Sequence, residues 1–334
     1  MSGIERLQLV GERRHMSDLS LVPLRTACVP RDDVLQGGLA DNHFAAQLDK
    51  VVRDAEHYPV YGDAEAFFAQ TYPTSGLKTL LTKAFGPVTG AKGVAGENGV
   101  LRPTTPLGGG KTHGLTAVYH LAGGARPANI AEFIDPKLLP DGPVQVAALV
   151  GDALDPTAGV ETDGHRTYTL WGEMAAQIGD AAYEAMAAND AQRTAPGTGT
   201  IKAAFAGKPT IVIVDEIAKY LRAVSSSGSE DVRRMARAIP VFLGNLFEVA
   251  SDPTNNVSVI ITLASTTNAF GAETTEISDL TGDEKERADT ANAASVKAAE
   301  ETGDVLTRAV QPSAVIRPAD DNEIGEILKK RVEP

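Results

Sequence analysis

The chain has 334 residues and a formal net charge of −13. That length buries a sizeable core in one large domain or two small ones, and the acidic balance argues against a surface that binds nucleic acid as a whole, because phosphate backbones recruit Lys and Arg. No apolar run approaches the roughly 20 residues that a bilayer requires, so no membrane role is expected.

The first stretch, "MSGIERLQLVGERRHMSDLSL", is charged and lacks an apolar signal core. It reads as a flexible N-terminus over about 1–20, with Met16 as an alternative start. Cys28 is the only cysteine. An internal disulfide is therefore ruled out, which suits a cytoplasmic chain.

Residues 21–90 read as a helical lead-in. "DNHFAAQLDKVVRDA" spaces Phe44, Leu48, Val51 and Val52 for one face of a helix. "GDAEAFFAQTY" and "SGLKTLLTKAF" predict two more helices, each with a polar or small residue ahead of its first turn. "GPVTGAKGVAGENG" then reads as a glycine-rich loop.

From about 91 the pattern changes to strand then helix, repeated. "VLRPTT" is a strand, "HGLTAVYHLAG" a helix that stops at Gly123, and "PVQVAALVG" a buried strand. "YTLWGEMAAQIGDAAYEAMAA" reads as one long helix, with Trp171 as a packing aromatic. "PTIVIVDEI" is a β-branched strand, "VRRMARAIPVFLGNLFEVAS" a helix and "NVSVIITLAS" a further strand. Continuous apolar strands alternating with helices predict an α/β fold: a parallel sheet with helices on both faces. Residues 271–305 interrupt it. They are acidic, Ala/Thr-rich and short of large apolar residues, and are expected to form a mobile insertion or an exposed helix. The tail "AVIRPADDNEIGEILKKRVEP" predicts a short strand and a helix.

The chemistry concentrates in "PLGGGKTHGL". A phosphate-binding loop of the form G-x-x-x-x-G-K-[ST] cradles phosphates with backbone N–H groups, reaches the β- and γ-phosphates with its lysine and binds Mg²⁺ with its hydroxyl. Gly110, Lys111 and Thr112 match its end, whereas Thr105 holds the place of the first glycine. Gly108 and Gly109 supply the conformational freedom instead. The rival reading, a plain strand-to-helix loop, is weakened because the motif follows a strand and opens a helix whose N-terminus favours an anion.

A second element supports this one. Ile211 to Val214 end in Asp215 and Glu216. In a Walker B strand the first carboxylate holds Mg²⁺ and the second deprotonates the attacking water, so Asp215 and Thr112 are metal candidates and Glu216 the general base. Thr262 and Ser265, at the end of the next strand, are candidate sensors of the γ-phosphate or the water. Arg308 is a candidate finger or sensor, with Arg317 its rival; a surface salt bridge is the plain alternative for both. His113, beside the loop, is a candidate nucleotide contact. His113 and His120 share a helix face, but nothing completes a metal set around them.

With these residues in place, the chain resembles a prokaryotic family of large P-loop ATPases known as DUF499. The resemblance runs through "CVPRDDVLQGGLADNHFAAQLDKV", "GDAEAFFAQTYPTSGLKTLL", "TLWGEMAAQIG", "IVIVDEIAKYL" and "IITLAS". Its most specific block is "GGGKTHGLTAVYHL", with His113 directly after the threonine and a Tyr119–His120 pair later. That family tolerates a missing first glycine. The resemblance implies a three-layer, AAA-like P-loop NTPase core over 91–334 that takes ATP and Mg²⁺. It also implies protein partners or further C-terminal domains, DNA reached only indirectly or through them, a role in phage defence, and oligomers as an open option. Members are usually far longer: this chain stops at "EILKKRVEP", where the family would continue into a helical lid and later domains, so it reads as a fragment or a truncated product without them. Two rival functions stand beside ATP hydrolysis: a nucleotide-binding switch, and a degenerate P-loop scaffold that binds partners.

Overall fold

The computed structural model describes residues 46–90, 99–104, 110–262, 283–310 and 314–332. Gly108, Gly109, Ser265, Cys28 and the expected flexible N-terminus lie outside the described residues.

Four helices come first: α1 (Leu48–Arg53), α2 (Pro59–Gly62), α3 (Ala64–Ala69) and α4 (Ser75–Thr89). Two begin on the polar residues that the sequence puts there. Asp63 accepts a hydrogen bond from Ala66 N at 2.7 Å, and Thr74 Oγ1 accepts one from Leu77 N at 3.1 Å. α4 runs past the expected start of the glycine loop. It carries Pro87 inside it, buries Gly86, Pro87 and Val88, and ends at Gly90 with φ +61°. Proline lacks only one N–H, and the burial of this last turn offsets that loss.

The strands then alternate with helices. β1 (Val100–Pro103) precedes α5 (Lys111–Ala122), and β2 (Gln145–Val150) follows. A hairpin, β3 (Val160–Thr162) and β4 (His165–Thr167), leads to α6 (Leu170–Ile178), α7 (Asp180–Gln192) and α8 (Thr198–Phe205). β5 (Thr210–Asp215) is followed by α9 (Ile217–Ser225) and α10 (Glu230–Ser251). β6 (Val257–Ile261), α11 (Asp283–Ala309), β7 (Val315–Ile316) and α12 (Ile324–Val332) complete the order. The expected long helix over 168–188 is two helices, because Gly179 takes φ +135° and ψ 172°, a conformation open to glycine alone.

The sheet has five strands in the order β2-β5-β6-β1-β7, and every pairing in it is parallel. Alternation along each strand divides the core. Ile211, Ile213, Leu101 and Ile260 pack under α1–α5. Val212, Val214, Val100 and Val259 pack under α6–α11 on the other face. Right-handed crossovers produce this division, since connections running in opposite directions along the sheet cover opposite faces. The fold is thus α/β, a parallel sheet flanked by helices.

The sheet's β2 edge is closed by a side chain. Gln177 accepts from Ala148 N at 2.7 Å and donates to Ala148 O at 3.0 Å, standing in for a further strand. The acidic segment is a helix in its described part. The face of α11 that carries Ala298, Thr302 and Leu306 is buried, against α9 and α10. Small residues let it pack closely without the large apolar side chains expected of an anchored element.

Candidate functional site

All five sheet strands are parallel, so their carboxyl ends share one edge. The connection after β1 runs to β2 on one side, while the connection after β6 runs the opposite way to β7. The reversal falls between β1 and β6, and in open parallel sheets such a switch point opens the ligand crevice. The residues that follow β1, β6 and β5 line it.

Gly110 leads into α5 with φ +77°, where a Cβ would meet nothing within 4 Å. Glycine is needed there for its backbone and not for space. Lys111, Thr112 and His113 precede the first intrahelical bond, Gly114 N to Gly110 O at 2.9 Å. The N–H groups of this turn point out of the helix end, towards the crevice.

Asp215, at the end of β5, is 3% exposed and organises what surrounds it. Thr112 Oγ1 donates to Asp215 Oδ2 at 3.1 Å. Thr262 Oγ1 donates to Asp215 Oδ1, which also accepts from Glu216 N at 3.0 Å. One carboxylate therefore ties together the ends of β5 and β6 and the first turn of α5. Burial pushes the Asp215 carboxyl up, against the bonds from Thr262, Thr112 and Glu216 N–H that favour its ionised form; Asp152 adds to the rise.

Glu216 caps α9 with φ +52°. Whereas Asp215 is buried, the Glu216 side chain stays 40% exposed. Its carboxylate is ion-paired with Lys219, and Lys219 Nζ also donates to Asp152 Oδ2 at 2.9 Å. Burial pushes the Glu216 carboxyl up, Lys219 opposes this, and Asp152 and Asp215 reinforce it. For Lys219, burial pulls the ammonium down, but the bonds to Glu216 and Asp152 outweigh it and its pKa is raised.

The expected residues do not all converge here. His113 turns away from the loop: its ring lies 4.5 Å from that of Phe67, and its Nε2 is 2.9 Å from Thr71 Oγ1. Thr71 spends its own hydrogen on Phe67 O, so His113 Nε2–H is the donor. These contacts tie the first turn of α5 to the lead-in. His120 follows it, donating Nε2–H to Tyr61 O at 2.6 Å. Arg308 is exposed in the last turn of α11, where the chain turns back to enter β7. It therefore lies towards the amino edge of the sheet, away from the crevice. Arg317 follows β7 and is exposed at the carboxyl edge. Trp171 is fully buried against Phe242, as its packing role requires.

Asp152 and Lys219 were not anticipated. Lys219 stands three residues after Glu216, a helical ion-pair spacing that the sequence displays once α9 is assigned. Asp152 follows β2, and only the strand order brings it to α9.

Among the described residues no group of three or more His, Cys, Asp and Glu forms a metal cage. Thr112 Oγ1 and Asp215 Oδ2 suit a different arrangement. Two hard oxygens 3.1 Å apart fit Mg²⁺, which keeps several waters and takes one or two protein oxygens together with ligand phosphates. Among the described residues no helix is long and apolar enough to cross a membrane.

No curated protein and no solved structure matches the chain. A family model, the DUF499 N-terminal domain, matches residues 24–279, more than half of the sequence. The match spans the crevice from Gly110 through Asp215 and Glu216 to Thr262, so the chain belongs to the DUF499 family.

Proposed function

We propose that the chain binds ATP with Mg²⁺ in this crevice, as a P-loop NTPase of the AAA-like type, and hydrolyses it. The observation that carries the reading is the Thr112–Asp215 hydrogen bond at 3.1 Å. It joins the hydroxyl of a Gly-Lys-Thr turn, which opens a helix directly after a strand, to the carboxylate that ends a second strand. A phosphate loop and its Mg²⁺ carboxylate require this junction. A chance glycine turn has no reason to meet an acid more than a hundred residues away.

Roles then follow from position. Gly110 turns the backbone towards the phosphates, the role also expected of Gly108 and Gly109. Lys111 reaches the β- and γ-phosphates. Thr112 and Asp215 hold Mg²⁺, which supplies charge neutralisation to the triphosphate when bound. Thr262 holds Asp215 from the far side and reports on the γ-phosphate. Glu216, more exposed than Asp215, takes the proton of the attacking water. Turnover drives motion in protein partners or in further domains, in the DNA-directed defence that the family resemblance implies.

Phosphate release at saturating Mg-ATP tests the catalytic part. Glu216→Gln keeps the side-chain size and removes the base. It is expected to bind Mg-ATP within about threefold of wild type and to lower kcat at least about a hundredfold. Hydrolysis at the wild-type rate would overturn the assignment of Glu216, whereas Mg-ATP binding without phosphate release by wild type would favour a nucleotide-dependent switch.

A further inference from the structure

The turn that presents Glu216 is pressed against the end of β2. Gly151 N donates to Asp215 O at 2.9 Å, and a Cβ on Gly151 would lie 2.2 Å from Glu216 O. Only glycine allows that approach, and it delivers the next residue, Asp152, to the first turn of α9. There Lys219 Nζ sits between two carboxylates: Asp152 Oδ2 at 2.9 Å and Glu216 Oε2. Lys219 N also donates to Glu216 O at 3.0 Å. Lysine and glutamate are therefore fixed on one turn, with Asp152 bracing the ammonium from a separate strand.

Such a brace has a use. A half-exposed glutamate is free about three side-chain torsions, and a base must lie within hydrogen-bond reach of its proton. Displacement of a reacting group by about 1 Å costs on the order of a hundredfold in rate. Bases in active sites are accordingly oriented by a third group. An ammonium offers three donors and a charge that holds a carboxylate in place, and Asp152 prevents that ammonium from following Glu216 into solvent.

We propose that Lys219, braced by Asp152, is the positioning residue that holds the Glu216 carboxylate at the mouth of the crevice for its work as base. The proposal rests on the reading of Glu216 as that base. It distinguishes a mount from a latch: a latch that keeps Glu216 away from the water would release activity when Lys219 is removed, whereas a mount loses it.

The test measures Mg-ATP affinity by titration and steady-state phosphate release for the 334-residue chain and its variants. Lys219→Met is expected to bind Mg-ATP within about threefold of wild type and to lower kcat at least about tenfold. Lys219→Arg should recover most of that loss, since it keeps the charge and the donors. Asp152→Asn, which loosens the brace from the strand side, should lower kcat about threefold with affinity unchanged. In the double variant Lys219→Met with Glu216→Gln, turnover should equal that of Glu216→Gln alone, because the lysine acts through the glutamate. A slow Glu216→Gln beside a Lys219→Met at or above the wild-type rate would overturn the positioning role and leave the base reading standing. Multiplicative losses in the double variant would likewise overturn it. A Glu216→Gln that turns over at the wild-type rate would remove the base reading and this proposal with it.

Discussion

At the scale of single residues, two buried side chains show how the sequence chooses protonation as well as position. Asp215 is an acceptor for three donors and has a role only as an anion, yet burial works against its charge. The Mg²⁺ proposed for the crevice would relieve that conflict when bound. His120 resolves a similar conflict by staying neutral. Burial lowers its pKa, against smaller upward effects from the Tyr61 carbonyl and Asp63. The unfolded chain therefore binds a proton more readily than the folded one. Stability from this site is fully present above the ordinary histidine value of about 6.5, and it is lost as pH falls through the lowered folded-state value. The melting temperature of wild type should fall between about pH 7.5 and pH 5.5, and His120→Gln should flatten that fall. Equal slopes in the two proteins would show that His120 is not the titrating group.

At the scale of elements, the legible parts were those whose backbone and burial agree. β5 reads as a buried strand because all six of its residues are buried, and the Gly-Lys-Thr turn reads as a helix start because it is one. The crevice pair Thr112–Asp215 was foreseeable from motif chemistry. Other elements carried signals that weaker patterns hid. The β3–β4 hairpin turns on Asp163 and Gly164, both at positive φ, the Asp-Gly turn that closes two-residue hairpins; its strands are too short and too polar to stand out. α9 spaces Ile217, Leu221 and Val224 on one buried face, but its nine residues follow directly on a strand and their helical period is short. The break between α6 and α7 was invisible to periodicity, because Gly179 interrupts a run that is otherwise helical on both sides. Gly179→Ala tests this. A Cβ there would meet nothing within 4 Å, so the cost is backbone strain alone. Urea unfolding should show a loss of about 1–3 kcal/mol; an unchanged midpoint would mean that the two helices can join.

At the scale of the whole molecule, the helical lead-in and the sheet that carries the crevice form one body. α1–α4 share one apolar core with α5 and with one face of the sheet. His113 and His120 clamp the helix that opens on Lys111 to the ring of Phe67. Round the β2 edge, Arg53 of α1 reaches buried Glu173 of α6 at 2.7 Å, and Thr162, Thr167 and Gln177 satisfy the rest of that carboxylate. A charge buried in this way holds its neighbours in register as long as every partner is present. The lead-in, the sheet and the crevice are thereby linked through continuous packing and one buried ion pair.

Mg-ATP binding at the β1/β6 switch point, through the turn at Lys111, is the proposal on which the roles of Asp215, Glu216 and Lys219 depend. Isothermal titration of Mg-ATP into wild type and Lys111→Ala tests it most directly. Wild type should bind about one nucleotide per chain, and the variant should lose at least about a hundredfold in affinity at an unchanged melting temperature, since the loop's lysine meets the β- and γ-phosphates. Equal affinities, or no binding by wild type, would contradict the account.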